Sequence, residues 1–303
     1  MQASIAGESE STIRKVNLNS QSKEKSPSLL DGKTVSERIR GLLKPRVAAL
    51  SARYSSPPVL VTILVGNNPS SETYVRMKGK ACESIGLGSR KIHLPENAAT
   101  EELLRIIDEC NQDSAVRGIL LQHPSPPQID ERAAFERIAV EKDVDGVTAS
   151  GYGRMSLGMP SYPACTPAGI IRLLDEYNLP LGGKHAVVVG RSPILGKPMA
   201  ALLLNRDCTV TICHSKTVDL PSYVKQADIV VAACGKPKFI RGEWIKEGAV
   251  VVDAGYNEGN VGDADYESCA ARASWITPVP GGVGPMTITM LLDHTVQSAE
   301  RAS

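Results

Sequence analysis

Short valine-rich apolar runs alternate with amphipathic stretches along most of this chain. "VLVTILV", "GILLQ", "HAVVVG", "ADIVVAACG" and "GAVVVDAG" carry apolar residues on both faces, the pattern of strands buried in a parallel sheet. "KIHL" and "CTVTICH" read as two further strands. Between them lie helical patterns. "SERIRGLLKPRVAALSARY" spaces Ile39, Leu42, Leu43, Val47 and Leu50 as one helix face. "SSETYVRMKGKACESIGL" opens on a pair of serine caps, closes at Gly86 and puts Tyr74, Met77 and Ala81 on one side. "ATEELLRIIDECNQD", "PPQIDERAAFERI", "TPAGIIRLLDEYN", "KPMAALLLN" and "GPMTITMLLDHTVQSAERA" follow as helices. Strands alternating with helices predict an α/β fold with parallel sheets. The series is interrupted once, by "EKDVDGVT" and the glycine-rich "GYGRMSLGMPSYPAC". That break reads as a crossing between two α/β lobes with a cleft between them.

Composition narrows the functions open to such a fold. Net charge is +1, so no broad basic field points to nucleic acid or a membrane surface. No apolar run approaches the roughly 20 residues of a membrane helix. The seven cysteines stand singly, with no C-x-x-C pair. This speaks against a disulfide framework or a metal site and for reduced thiols in a cytoplasmic compartment. Residues 1–28 are polar and lack an apolar signal core, and Glu8, Glu10 and Glu24 do not suit a transit peptide. They read as a disordered extension.

In "HAVVVGRSPILGKPMAALLL" a buried strand runs into Gly190, and a helix begins near Gly196. A strand, turn and helix in this order place a pyrophosphate at a helix N-terminus, where free N–H groups and the dipole favour anions. The loop is not the standard G-x-G-x-x-G, because Ser192 stands at the second glycine and Pro193 stiffens the turn. A Rossmann-type lobe is therefore predicted, with a plain βα turn as the bland alternative. An NAD site would show an acid about 20 residues further on. Here the next strand ends in His214, Ser215, Lys216 and Thr217 instead. Hydroxyls and cations suit a 2′-phosphate, and Arg191 supplies a second positive group, so the residues favour NADP. Asp253, inside a valine run, reads first as a satisfied structural carboxylate and second as a site residue.

Tyr74 and Lys78 stand one helical turn apart. Gln122 ends an apolar strand, and Asp145 sits in the turn between the lobes. Each alone has a bland reading: a solvated lysine, a strand-end cap, a turn residue. Together in a cleft they are different, because burial lowers a lysine pKa and makes it a proton-transfer group near neutral pH. "TPVPGGVGPMT" packs three glycines and three prolines around the entry to the last helix, as a rigid loop with exposed backbone suited to walling a ligand.

From about Leu30 to the C-terminus these motifs resemble the bifunctional methylenetetrahydrofolate dehydrogenase/cyclohydrolase family. The likeness rests on "SETYVRMKGKACESIGL", "GILLQHP", "EKDVDGVT", "ACTPAG", "GKHAVVVGRSPILGKPMAALLL", "CTVTICHSKT", "GEWIKEGAVVVDAGYN" and "ITPVPGGVGPMT", in the family's order. It implies a folate-binding catalytic domain over 29–148, completed by a C-terminal helix over 285–303. It implies an NADP-binding Rossmann-type domain over 149–284, a homodimer, tetrahydrofolate substrates and a place in one-carbon metabolism and purine biosynthesis. By the same resemblance Lys78 is the central catalytic group, oriented by Tyr74 and tuned by Gln122. Ser71 lies in the same motif, Asp145 anchors the pterin, and Pro280, Gly281 and Gly284 wall the folate. Gly190, Arg191, Ser192, Ser215 and Tyr256 fall at NADP positions.

Two departures from the family pattern stand out. His123 replaces the usual leucine after the glutamine, in a position expected to line the folate site. It either carries charge beside Lys78 or turns away into its loop. Tyr256 stands where an aliphatic residue is usual. Other readings left open by the residues are a shikimate-type NADP dehydrogenase, a folate dehydrogenase without cyclohydrolase activity, and a non-catalytic NADP sensor. The presence of Lys78 and Gln122 speaks against the last.

Overall fold

A computed structural model of the chain describes residues 27–302. The expected extension therefore lies, through residue 26, outside the described residues. Its last residue, Ser28, belongs to a strand.

The first half runs β1 (Ser28–Leu29), α1 (Gly32–Tyr54), β2 (Val59–Val65), α2 (Pro69–Ile85), β3 (Gly88–Leu94), α3 (Thr100–Gln112), β4 (Val116–Leu121) and α4 (Glu131–Arg137). The second half runs α5 (Ala149–Ser156), α6 (Cys165–Glu176), β5 (His185–Val189), α7 (Gly196–Leu204), β6 (Thr209–Cys213), α8 (Leu220–Val224), β7 (Ile229–Ala232), β8 (Val250–Asp253), α9 (Tyr266–Ala270), β9 (Trp275–Ile276) and α10 (Val283–Arg301). The strands form two parallel sheets. One has three strands in the order β3-β2-β4, and the other has six in the order β1-β9-β8-β7-β5-β6.

From β2 in one sheet and from β5 in the other, the chain moves first to one side and then to the other. The resulting switch points lie between β2 and β4 and between β5 and β7. Ligands of open α/β sheets bind at the carboxyl ends of strands beside such points. The predicted parallel α/β architecture is thus observed.

Several details differ from the sequence pattern. β1, at the start of the segment expected in the folate lobe, pairs with β9 of the other sheet. The glycine-rich crossing contains α5, whose Thr148 hydroxyl caps the Gly151 N–H at 3.0 Å. The serines before Tyr74 are not the cap of α2. Asn68 is, its Oδ1 accepting from the Ser70 and Ser71 N–H groups at 3.0 and 3.1 Å. Leu42 faces water, while Val35, Ile39, Leu43, Val47 and Leu50 form the buried stripe of α1.

One apolar core joins the two lobes. α10 lies between α1 and α6, and Leu43, Leu60, Leu173, Val188 and Leu292 share a continuous buried cluster. The loop before α10 is tied to the start of α1. Lys33 N–H donates to Gly281 O at 2.8 Å, and any side chain at Gly32 would run into the Gly282 carbonyl. The glycine-rich loop is thereby held against a helix end rather than left free.

Candidate active site

The buried residues of α2 are Ser71, Val75, Ala81, Cys82 and Ile85, most of them on one core-facing stripe. Lys78 falls on the same stripe by helical spacing, half-buried, while Tyr74 sits at its edge and Met77 faces out. The expected common face of Tyr74, Met77 and Ala81 is therefore split, with Ala81 buried and Tyr74 and Met77 exposed. Gln122 follows β4, and its N–H donates to Ile63 O at 2.8 Å, which seats it on the carboxyl edge at the β2/β4 switch point.

There Lys78 Nζ donates to Gln122 Oε1 at 3.0 Å. Burial lowers the Lys78 pKa below the usual lysine range. The negative charge of Asp145 opposes this, and Cys165 does so less. Three of the expected residues, Lys78, Gln122 and Asp145, are thus brought together from three separate segments.

Cys165, Asp263 and His294 received no role from the sequence pattern. Cys165 opens α6 and is buried, its thiol donating to Val144 O at 3.2 Å. Burial, reinforced by Asp145, pushes that thiol well above its usual range, so it stays neutral. His294 of α10 donates from Nδ1 to the same Val144 carbonyl at 2.9 Å. The turn carrying Asp145 is therefore pinned from α10. Its signal was a histidine on the buried face of α10, close in sequence to Leu291, Leu292 and Val296.

Burial depresses the His294 pKa below the ordinary 6.5. A histidine depressed in the folded state stabilises the fold fully above its unfolded value, and the contribution is lost as pH falls below that value. Thermal midpoints measured from pH 7.5 to 5 should fall, as this residue removes at most about 1.4 kcal/mol of stability per pH unit. His294→Asn, which keeps an N–H for Val144, should lose that part of the slope. An unchanged slope would show that His294 is not the titrating group.

His123 does not turn toward Lys78. Its Nδ1 lies 2.8 Å from Glu131 Oε2, and its ring packs near Phe135. The expected charged neighbour of the lysine is thus directed to α4 instead, because a carboxylate is in reach there.

Across the cleft, Tyr74 meets Tyr256 edge-to-face, with ring centroids 6.3 Å apart at 74°. Tyr256 lies on the loop after β8. Its hydroxyl donates to Asn260 Oδ1 at 2.5 Å. The departure at Tyr256 therefore places a second aromatic ring opposite the first. Ser71 is buried beneath this face, while Pro280 and Gly284 are exposed and Gly281 half so. Gly281 takes φ of 110°, a left-handed conformation that favours glycine.

In the six-stranded sheet, Gly190 ends β5 at the switch point. Its φ is 140°, and a side chain there would collide with the Ala233 carbonyl after β7. Glycine at this position lets the end of β5 pack directly against the backbone that follows β7. Arg191 and Ser192 are exposed on the following turn, and Ser192 Oγ accepts from Gly196 N–H at 3.3 Å. Gly190 N–H donates to Cys213 O at 2.9 Å, which brings this loop beside the end of β6. In the basic cluster there, Thr217 Oγ1 accepts from His214 N–H and His214 Nδ1 accepts from Lys216 N–H. Those two side chains fold the turn and leave Ser215 and Lys216 exposed.

Asp263 Oδ2 accepts from the Cys234 and Gly235 N–H groups at 2.6 and 2.7 Å, and its Oδ1 from Asn257. It ties the loops after β7 and β8 together. Asp253 accepts from Gly255, Asp263 and Ala264 N–H groups and is the satisfied structural carboxylate expected. Gly190→Val should abolish NADP binding, measured by fluorescence titration. Wild-type affinity in this variant would mean that the β5/β7 crevice is not the cofactor site.

Residues 30–145 match the model of the tetrahydrofolate dehydrogenase/cyclohydrolase catalytic domain, and residues 164–303 that of the family's NAD(P)-binding domain. The bifunctional protein FolD of Shouchella clausii is 63% identical over 276 residues, 91% of this chain and 99% of that protein. The crystal structure of the bifunctional FolD enzyme of Campylobacter jejuni superposes with a TM-score of 0.90 at 45% identity, covering 92% of this chain and 100% of the other. That of the Trypanosoma brucei dehydrogenase-cyclohydrolase, complexed with NADP and an inhibitor, gives 0.87 at 38% identity, covering 91% and 98%. With both domain models matched in order and its cleft lined from both, the chain belongs to the tetrahydrofolate dehydrogenase/cyclohydrolase family.

Proposed function

We propose that Lys78, held by Gln122, is the proton-transfer group of this bifunctional enzyme, which oxidises 5,10-methylenetetrahydrofolate to 5,10-methenyltetrahydrofolate with NADP and hydrolyses the product to 10-formyltetrahydrofolate. The observation that carries the assignment is the 3.0 Å contact from a desolvated Lys78 to Gln122 at the β2/β4 switch point. The cleft on the other side fits NADP: β5 runs through the turn at Gly190 into the N-terminus of α7, the order that takes a pyrophosphate, and Arg191, Ser215 and Lys216 stand exposed where the 2′-phosphate would lie. Bound there, NADP is the hydride acceptor.

For that first step the protein supplies orientation. The folate nitrogens stabilise the cation left when hydride departs. Tyr74 and Tyr256 border the gap the two rings must share, and Asp145 is suited to hold the pterin amidine. The second step adds water to the methenyl carbon, and one proton must leave as the formyl group forms. Neutral Lys78 takes that proton, and the depressed pKa makes the neutral form accessible. Gln122 Oε1 aims the nitrogen.

Homodimeric assembly and a cytoplasmic setting belong to the same reading. The seven cysteines are all free, and no helix among the described residues is long and apolar enough to cross a membrane. An assay following reduced cofactor with methylenetetrahydrofolate and NADP or NAD, with identification of the folate product, tests the proposal. Accumulation of methenyltetrahydrofolate without 10-formyltetrahydrofolate would remove Lys78 from its role.

A further inference from the structure

The loop joining β4 to α4 begins at Gln122, and one carboxylate grips it at two points. Glu131 Oε1 accepts the Ser125 backbone N–H at 2.5 Å, and Oε2 lies 2.8 Å from His123 Nδ1. A carboxylate only accepts, so His123 carries its proton on Nδ1. The Glu131 side chain is only 24% exposed.

From this grip a chain of bonds leads to the lysine. Gln122 Nε2 donates to the His123 carbonyl at 2.8 Å, and Gln122 Oε1 accepts from Lys78 at 3.0 Å. A primary amide has one donating end and one accepting end. With its donating end committed to the His123 carbonyl, its oxygen must face Lys78. Were that carbonyl displaced, the amide would be free to turn its own N–H groups toward the ammonium, donor against donor. The position of one backbone carbonyl thus decides which end of Gln122 the lysine meets.

We propose that Glu131 is a positioning residue for the cyclohydrolase step: by clamping His123 and Ser125 it fixes the carbonyl that orients Gln122 toward Lys78. This rests on the assignment of Lys78 above. Hydride transfer needs no proton at Lys78, so the clamp bears more on hydrolysis than on oxidation. The titratable groups facing Lys78 are Asp145 and Cys165. Neither is touched by changing Glu131.

The test measures both activities of Glu131→Ala, Glu131→Gln and Lys78→Met across pH. Glu131→Ala should lower cyclohydrolase kcat about tenfold, equivalent to about 1.4 kcal/mol, with a much smaller change in KM. The dehydrogenase should lose less. The pH limb set by Lys78 should move down, because its ammonium loses an acceptor. Glu131→Gln keeps an acceptor for the Ser125 N–H and should recover most of the rate. If Glu131→Ala fails to fold, His123→Ala removes one grip and should show the same bias in smaller degree. Proportional loss of both activities, or an unmoved pH limb, would overturn the proposal and leave Glu131 a structural residue only. Full cyclohydrolase activity in Lys78→Met would instead overturn the underlying assignment, whatever Glu131 does.

Discussion

Lys78→Met should reduce cyclohydrolase turnover by at least the 10²-fold typical of a lost proton-transfer group, while the chain stays folded. Methionine matches the length of the stem and is compatible with the apolar stripe of α2 on which Lys78 stands. What it removes is the nitrogen 3.0 Å from Gln122.

The pH dependence carries the same assignment with a defined sign. A base must be neutral to accept a proton, so the cyclohydrolase rate should rise with pH along a limb set by Lys78. Because burial depresses that pKa, the limb should lie below the ordinary lysine value of 10.5. Gln122→Glu places an anion beside the ammonium and stabilises it. The limb should then move up by about one to three units, with lower activity near neutral pH. Rates measured from pH 6 to 10 for the three proteins decide this. A limb that ignores Gln122→Glu would mean that another group titrates.

Arg191→Ala should weaken NADP by roughly tenfold to a hundredfold and leave NAD nearly unchanged. Arg191 is exposed on the turn after β5, beside the end of β6 where Ser215 and Lys216 are also open. Only NADP carries a 2′-phosphate for them to meet. A charge-assisted hydrogen bond of this kind is worth about 1.5–3 kcal/mol. Raising salt should narrow the gap between wild type and variant, since an exposed pair is screened. Titration of each cofactor against each protein gives the comparison. Equal losses for NADP and NAD would place Arg191 on the pyrophosphate or in the fold instead.

Much of this molecule was legible along the chain. Runs such as "HAVVVG" and "GAVVVDAG" admit few fates other than buried parallel strands, because a chain apolar on both faces must be covered on both. Gly190 marked the turn from strand to helix, and the structure sets that turn against the Ala233 carbonyl. Lys78 was visible one helical turn from Tyr74, Gln122 at the end of an apolar strand, and Asp145 in the turn between the lobes.

Direction was not legible. Periodicity places a residue on a face, but which face is inner depends on the element packed against it. Tyr74, Met77 and Ala81 share a side by spacing, yet packing buried only Ala81 of the three, with Ser71, Val75, Cys82 and Ile85, and drew Lys78 in with them. β1 and β9 are two residues each, too short for any pattern to reveal; β9 forms by pairing with β8, and β1 by adding onto β9. His123 shows the limit most clearly. Its position beside Gln122 was plain in the sequence, but whether its ring met Lys78 or Glu131 depended on where α4 begins in space. The chain by itself determined which residue types were available and in what order. Long-range packing, which sequence spacing does not encode, decided which of them meet.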